Sequence, residues 1–127
     1  MSLDITPLVP AGRQVIEAYG DGGFVIAGAR YAGSVIVLPE RTLAWTVAAA
    51  ADVTEFALAP LFEALPPAEI LVVGCGPRFA PAPGPLRPVF KARGVALEWM
   101  DTGAACRTFN VLLAEGRPVA AALIAVK

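Results

Sequence analysis

The sequence predicts an α/β fold: a single three-layer domain over residues 1–127, in which helices cover a mixed central β-sheet and an N-terminal β-hairpin or meander adds an extra layer. Three observations lead to this prediction. Strand and helix patterns alternate from residue 70 onward, the predicted strands are nearly free of charge, and glycine-rich turns separate short apolar runs in the first 40 residues. A length of 127 residues suits one domain, and no internal repeat or domain boundary interrupts it.

The N-terminal part begins with a predicted extended arm over residues 1–12. The runs 15–19 and 24–27 then flank Gly20-Asp-Gly-Gly23, a connection that can take the positive φ angles of a hairpin loop. A β-hairpin is therefore predicted here, and residues 28–33 are predicted to form a second turn.

Proline determines the predicted structure of the next segment. The β-branched run 34–38 is predicted as a strand that ends at Pro39, and residues 43–47 as a weaker strand. Asp52 and Thr54 can cap a helix, but Pro60 would interrupt one that began directly after them. A helical segment is therefore predicted from about Leu58, ending before residues 66–67, which are both proline.

Alternation of strands and helices dominates the remaining chain. The apolar run 70–73 is predicted as a strand, and five prolines in residues 77–88 predict a surface loop that leads into a helix. The predicted elements are that helix at about 85–93, a strand at 95–99, a helix at 103–115 and a last strand at 119–126. The last strand contains no polar side chain, so both of its faces should be buried.

Charge and hydropathy exclude two classes of function. The net charge is −1, with ten basic and eleven acidic residues distributed singly, so no basic surface is available for binding nucleic acid. The mean hydropathy is +0.65, but the longest uncharged apolar stretches, 43–51 and 118–126, are far shorter than the ~20 residues of a membrane-spanning helix. No transmembrane segment is predicted.

Compartment and chemistry are limited by what the composition lacks. Residues 1–7 have no basic region followed by an apolar one, and two cysteines make no disulfide framework, so a reducing, cytoplasmic setting is expected. The chain has no histidine, which removes Ser-His and Cys-His nucleophile pairs and the usual zinc sites. No catalytic residue, cofactor or metal site is predicted, and the sequence leans against an enzyme without deciding the question.

The helix at 103–115 carries the main candidate residues. Cys106 lies near its N-terminus beside Arg107, an environment that favours a thiolate, yet a lone cysteine often serves as a small buried apolar side chain. Both interpretations stay open, and the absence of a base favours the second. On a helical wheel, Arg107 and Asn110 share a stripe with Gly103 and Ala114. That stripe suggests an open slot for a carboxylate, a phosphate or a partner's backbone, while a plain solvated arginine is the alternative.

Three further residues complete the candidate site. Asp101 and Thr102 are predicted to cap this helix, and Asp101 at a strand end could alternatively act as a general acid or base. Cys75 lies in Gly74-Cys-Gly76 after a strand, where a nucleotide-binding turn would lie, but the third glycine is absent and Pro77 follows at once. A tight turn is the favoured interpretation. Cys75 and Cys106 could meet at the sheet edge for a redox or metal role, which two thiols support weakly.

A family resemblance rests on three segments: Met-Asp-Thr-Gly-Ala-Ala-Cys-Arg-Thr-Phe-Asn at 100–110, the run 23–39 and Val-Gly-Cys-Gly at 73–76. Together they resemble the small domain of unknown biochemical function that includes mitochondrial complex I assembly factor 3 and its bacterial relatives, over about residues 5–126. The resemblance implies a three-layer α/β domain with no established catalytic residue. For the mitochondrial members it implies an assembly role, beside a partner factor near the inner membrane, while the peripheral arm of complex I is built. A bacterial cytoplasmic setting is expected for this chain.

Two functional hypotheses follow. The first is a non-enzymatic interaction or assembly module, with a protein partner such as a respiratory-complex subunit or another assembly factor, and with a homodimer as a further option. The second is a small anionic-ligand-binding protein or enzyme. Both place the site at the same residues: Cys75, Asp101, Thr102, Cys106, Arg107 and Asn110.

Overall fold

The computed structural model describes residues 13–63 and 68–127, so the predicted arm 1–12 lies outside the described part. Eight strands occur there: β1 Ile16–Gly20, β2 Gly23–Ile26, β3 Ala29–Ala32, β4 Val35–Val37, β5 Thr42–Ala44, β6 Ile70–Gly74, β7 Ala96–Met100 and β8 Val119–Leu123. The helices are two 3₁₀ segments, Ala50–Asp52 and Phe56–Glu63, and two α-helices, α1 Leu86–Ala92 and α2 Thr102–Ala114.

The strands form two sheets. β1, β2 and β3 make an antiparallel meander, and the larger sheet has the order β5-β4-β8-β6-β7. In the larger sheet β4 is antiparallel to β5 and β8, whereas β6 is parallel to β8 and β7. The sheet is therefore mixed, and the predicted α/β class with an added N-terminal meander is confirmed.

The N-terminal meander confirms one predicted turn and corrects another. The hairpin reverses at Asp21 and Gly22, with φ of 52° and 77°, the two positive angles that a two-residue hairpin turn requires. Residues 28–33, predicted as a turn, instead contain β3. The physical reason is that Ala27 and Gly28, at φ 49° and 81°, already complete the reversal, which leaves residues 29–32 free to pair with β2.

The helix before β6 differs from the prediction in its type and in its first residue. It is a 3₁₀ helix that begins at Phe56, two residues before the predicted start, and it contains Pro60. The hydroxyl of Thr54 accepts a hydrogen bond from the Ala57 N–H at 3.1 Å and so supports the early start. The predicted end before residues 66–67 lies outside the described residues.

Alternating side chains of β8 divide the core into two clusters. Ala120 and Ala122 face the side of α1, while Val119, Ala121 and Leu123 face the side of α2, and all five are 0% exposed. The predicted burial of this strand on both faces is confirmed. Apolar surface removed from water on both sides of one strand is the main source of stability for such a sheet.

Each face of the larger sheet has its own cover. Leu86 and Phe90 of α1 pack on one face together with Leu58 and Leu61 of the second 3₁₀ helix. On the other face lie α2 and the N-terminal meander, which contribute a second set of buried side chains: Ile16, Phe24, Ile26, Ala105, Phe109 and Leu113. This arrangement gives three layers, with β7 at one edge of the sheet and the N-terminus of α2 at the ends of β6 and β7.

Candidate functional site around helix α2

The N-terminus of α2 is capped by Asp101, as the sequence predicts. Asp101 has extended backbone angles, and its carboxylate Oδ1 accepts a hydrogen bond from the Ala104 N–H at 2.9 Å. This bond satisfies one of the helix N–H groups that have no partner within the helix, and the negative charge suits the positive end of the helix dipole. The Asp101 side chain thereby fixes where α2 begins.

Thr102 joins three parts of the chain instead of capping the helix with its side chain. Its hydroxyl is fully buried, donates a hydrogen bond to the Ile124 carbonyl at 2.7 Å and accepts one from the Gly76 N–H at 3.1 Å. A Cβ on Gly74 would lie 2.9 Å from the Cα of Thr102, so glycine is required for this close approach. The Gly74-Cys-Gly76 segment is thus a tight exit turn packed against α2.

Cys75 and Cys106 lie on opposite faces of the sheet. Cys75 belongs to the cluster on the α1 side and Cys106 to the cluster on the α2 side, and both are free thiols. The Cys75 Sγ accepts a hydrogen bond from the Ala80 N–H at 3.4 Å and donates one to the Arg78 carbonyl at 3.5 Å. Cys75 therefore organises the start of the proline-rich loop, and the sheet separates it from Cys106.

The structure contradicts the interpretation of Cys106 as a nucleophile. The side chain is 3% exposed, and burial raises the pKa of the thiol from 9.0 to about 12. The neighbouring Arg107 acts in the opposite direction, but its effect on the pKa is smaller than that of desolvation. Cys106 is therefore a neutral thiol in the core at neutral pH, as the packing alternative predicted. Among residues 13–63 and 68–127, no cluster of three or more His, Cys, Asp or Glu side chains could hold a metal ion.

The predicted slot beside Asn110 is covered by β1. The Asn110 side chain accepts a hydrogen bond from the Ile16 N–H at 2.9 Å and donates one to the Ile16 carbonyl at 2.8 Å, so it pairs with β1 much as another strand would. At Gly103, a Cβ would come within 2.6 Å of the Tyr19 hydroxyl. Gly103 and Asn110 thus form the surface on which the N-terminal meander sits.

Arg107 is the candidate residue that stays accessible. Its side chain is exposed, and it has no hydrogen-bond or ion-pair partner among the residues that the structure describes. One turn further along α2, the apolar side chain of Val111 is 57% exposed. Arg107, Val111 and Glu115 together form the α2 ridge, an outward-facing strip on a helix that Asp101, Thr102 and Asn110 hold in place.

Sequence reasoning missed two contributors to this region. Tyr19 and Ile16 cover the α2 stripe from a distant part of the chain and have no local sequence signal for that role. The free edge of β7 is the second: the strand is predicted at 95–99, but the groove on each side of its edge is not. A signal did exist here: Ala96 and Glu98 alternate with buried Leu97 and Trp99, which indicates a strand with one uncovered face.

A family described as a protein of unknown function (DUF498/DUF598) matches residues 16–124. The chain belongs to the DUF498/DUF598 family. This membership agrees with the resemblance drawn from segments 23–39, 73–76 and 100–110.

Relatives of this DUF498/DUF598 protein include a human one named NADH dehydrogenase [ubiquinone] 1 alpha subcomplex assembly factor 3. It is 38% identical over 90% of the chain, and the match spans 62% of the human protein. The chain thus spans about three-fifths of the length of this relative.

Two solved bacterial structures share the fold. A Bartonella henselae protein described as an outer membrane protein has a TM-score of 0.83 and 38% identity, covering 91% of this chain and 98% of its own. A Bordetella pertussis protein described as a Mth938-like domain has a TM-score of 0.77 and 32% identity, covering 98% and 92%. The chain therefore has the Mth938-like fold. None of the described helices of our chain reaches the length and apolar character needed to cross a membrane.

Proposed function

We propose that this DUF498/DUF598 protein is a non-enzymatic interaction module that acts in the assembly of a larger complex, related to the assembly of respiratory complex I. One observation carries the proposal: a relative named complex I assembly factor 3 is 38% identical over 90% of the chain. An assembly factor works by binding protein partners, so the module needs an accessible surface on a stable support.

The α2 ridge is the surface that fits this role. Arginine is enriched among the side chains that contribute most to binding at interfaces, and Arg107 is exposed. The exposed Val111 one turn along the helix adds apolar area beside it. Binding loses less entropy when the surface is already ordered. In this proposal Arg107 contacts the partner, while Asp101, Thr102 and Asn110 position the helix. Cys106 packs beneath α2, and Cys75 packs on the opposite face of the sheet.

The proposed setting is the bacterial cytoplasm. Support comes from the two cysteines, which are free and buried and would suit a reducing compartment. Cell fractionation tests this point directly. Recovery of the native protein in the outer-membrane fraction, the location named for the Bartonella relative, would contradict it.

The test of the interaction role is a tagged pull-down from cross-linked native cells, analysed by mass spectrometry. Arg107→Glu should abolish recovery of the specific partner without changing the thermal unfolding midpoint, because the side chain is exposed and has no hydrogen-bond or ion-pair partner among the described residues. Arg41→Glu is the matched control, since Arg41 is exposed and precedes β5 at the opposite edge of the sheet from β7. Equal recovery with both variants would refute the role of Arg107. If the wild-type chain recovers only a second copy of itself, the protein forms a homodimer and binds no other partner, and the assembly proposal fails.

A further inference from the structure

Strand β7 presents unpaired backbone groups at the edge of the larger sheet. The Ala96 N–H donates to the Glu69 carbonyl at 2.9 Å, and the Met100 carbonyl accepts from the Cys75 N–H at 2.8 Å. Both bonds point toward β6. Because backbone direction alternates along a strand, the N–H and C=O groups of Leu97 and Trp99 point away from β6, toward the open edge.

The open edge has one internal partner. The Leu97 carbonyl accepts a hydrogen bond from the Arg87 guanidinium at 2.6 Å. Within the described residues, no hydrogen bond involves the Leu97 N–H or the backbone N–H and C=O of Trp99. These unpaired backbone groups could form hydrogen bonds with an added strand.

A groove lies on each side of this edge, and the two grooves differ in chemistry. The groove on the α2 side has a volume of about 320 Å³, and the apolar side chains of Ile70, Met100 and Leu112 line it. Glu98, on the same face of β7 as Met100, and Arg117 also line this groove, so charges of both signs accompany the apolar side chains.

The groove on the α1 side has a volume of about 410 Å³ and contains the basic side chains of Arg87 and Lys91, one helical turn apart. Neither forms an ion pair within the described residues. Glu69 lies in this groove where β7 begins, and Glu98 borders it from the opposite face of the strand. The charged side chain hydrogen-bonded to the Leu97 carbonyl is therefore basic, and Lys91 lies one helical turn from it.

We propose that the β7 edge binds an extended segment of a partner protein, by strand addition, in which apolar residues alternate with acidic ones. Side chains of an added strand point alternately to the two faces of the sheet. Apolar residues would therefore enter the α2-side groove, and acidic residues would face Arg87 and Lys91. An acidic side chain would draw the Arg87 guanidinium from the Leu97 carbonyl, which then accepts from the incoming backbone. This inference rests on the proposed interaction role and names the partner's chemistry.

A second copy of the chain fits this edge poorly. In an antiparallel pair centred on Glu98, the two Glu98 carboxylates would face each other directly, which destabilises a cross-strand pair. In a pair centred on Leu97, the two Arg87 guanidinium groups would converge on the same carbonyls. Like charges thus oppose self-pairing in both arrangements, whereas an acidic strand meets opposite charge at Arg87 and Lys91.

Two end-blocked peptides test the proposal: Thr-Val-Glu-Val-Glu-Val-Thr and its counterpart with lysine in place of glutamate. The acidic peptide should shift the NMR signals of the Leu97 and Trp99 amides and slow their hydrogen exchange, and it should bind about tenfold or more tightly than the basic one. Arg87→Glu/Lys91→Glu should reverse that preference. Arg41→Glu/Lys127→Glu has the same net charge change away from the edge and should not, and Lys91→Glu alone serves if the double variant fails to fold.

Three results would overturn the proposal: no change at these two amides with millimolar acidic peptide, equal binding of the two peptides, or a preference unaffected by Arg87→Glu/Lys91→Glu. The pull-down separates this failure from failure of the proposed function. A specific partner recovered equally by wild type and by the double variant would eliminate strand addition and leave the interaction role intact. Recovery of no partner by wild type would eliminate the interaction role itself.

Discussion

Replacing Asn110 by alanine should detach the N-terminal meander from α2. The Asn110 amide provides both hydrogen bonds that join this helix to the backbone of Ile16, at 2.9 and 2.8 Å. Alanine removes both bonds at once and leaves the Ile16 N–H and C=O without protein partners. The Ile16 side chain itself is 5% exposed, so water reaches these backbone groups poorly.

The expected loss follows from the two orphaned groups. A typical internal hydrogen bond contributes about 1 kcal/mol net, and a buried polar group left without a partner costs about 1–3 kcal/mol. The Asn110 site is only partly buried, so we expect Asn110→Ala to lower the free energy of unfolding by about 2–4 kcal/mol. Asn110→Asp should be comparably harmful, because the carboxylate can still accept from the Ile16 N–H but repels the Ile16 carbonyl.

Urea unfolding followed by the fluorescence of Trp45 and Trp99, both buried on the α1 side, measures the global loss. Amide hydrogen exchange along β1, β2 and β3 measures local release of the meander. Arg107→Ala, on the exposed side of the same helix, is the control and should stay within about 0.5 kcal/mol of wild type. A loss below about 0.5 kcal/mol for Asn110→Ala, with unchanged exchange in β1, would refute the role given to this amide.

Two further predictions concern buried side chains near the start of α2. Thr102→Val should lower the free energy of unfolding by about 2–3 kcal/mol in urea, because it leaves the Ile124 carbonyl and the Gly76 N–H unpaired, whereas Thr102→Ser keeps both bonds and should cost less. Cys106 should resist iodoacetamide at pH 8 in the native protein and react in urea. Burial raises the pKa of this thiol, so above pH 9.0 the unfolded chain releases a proton that the native state keeps. The contribution of the thiol to the free energy of unfolding is therefore fully present below pH 9.0 and is lost as the pH rises toward about 12. Between pH 8 and pH 10 the urea midpoint should decrease less in Cys106→Ala than in wild type. An equal decrease in the two proteins would contradict this prediction.

Local patterns predicted the elements from β6 onward because each of them carries its own signal. The apolar runs 70–73 and 119–126 have no charge, Asp101 can cap a helix, and glycine follows both α1 and α2 within two residues of their ends. β3 has no such signal, since Ala-Arg-Tyr-Ala is neither apolar nor alternating. Pairing with β2 is what makes it a strand.

The sequence predicted the region of the candidate site, but not the role of each residue in it. The 100–110 segment does carry the exposed Arg107 and the capping Asp101, and both features follow from helix geometry and capping chemistry. The slot expected beside Asn110 is filled by β1, because residue 16, 94 positions away in the chain, satisfies the amide. Helical-wheel reasoning identifies a polar stripe, but it cannot tell whether water or another strand covers it.

The sequence by itself determined the α/β class, the two-sided burial of β8, the absence of a histidine-based catalytic group and the family. These properties depend on composition, on the period of apolar residues and on short motifs. None of these requires knowing which distant residues come into contact. Only the tertiary structure decided that Cys106 is a neutral core thiol, that Thr102 and Asn110 are internal links, and that β7 has a free edge with a groove on each side, one of which contains Arg87 and Lys91. Desolvation, pairing and strand order each depend on which distant residues lie alongside, and the local sequence does not identify those residues.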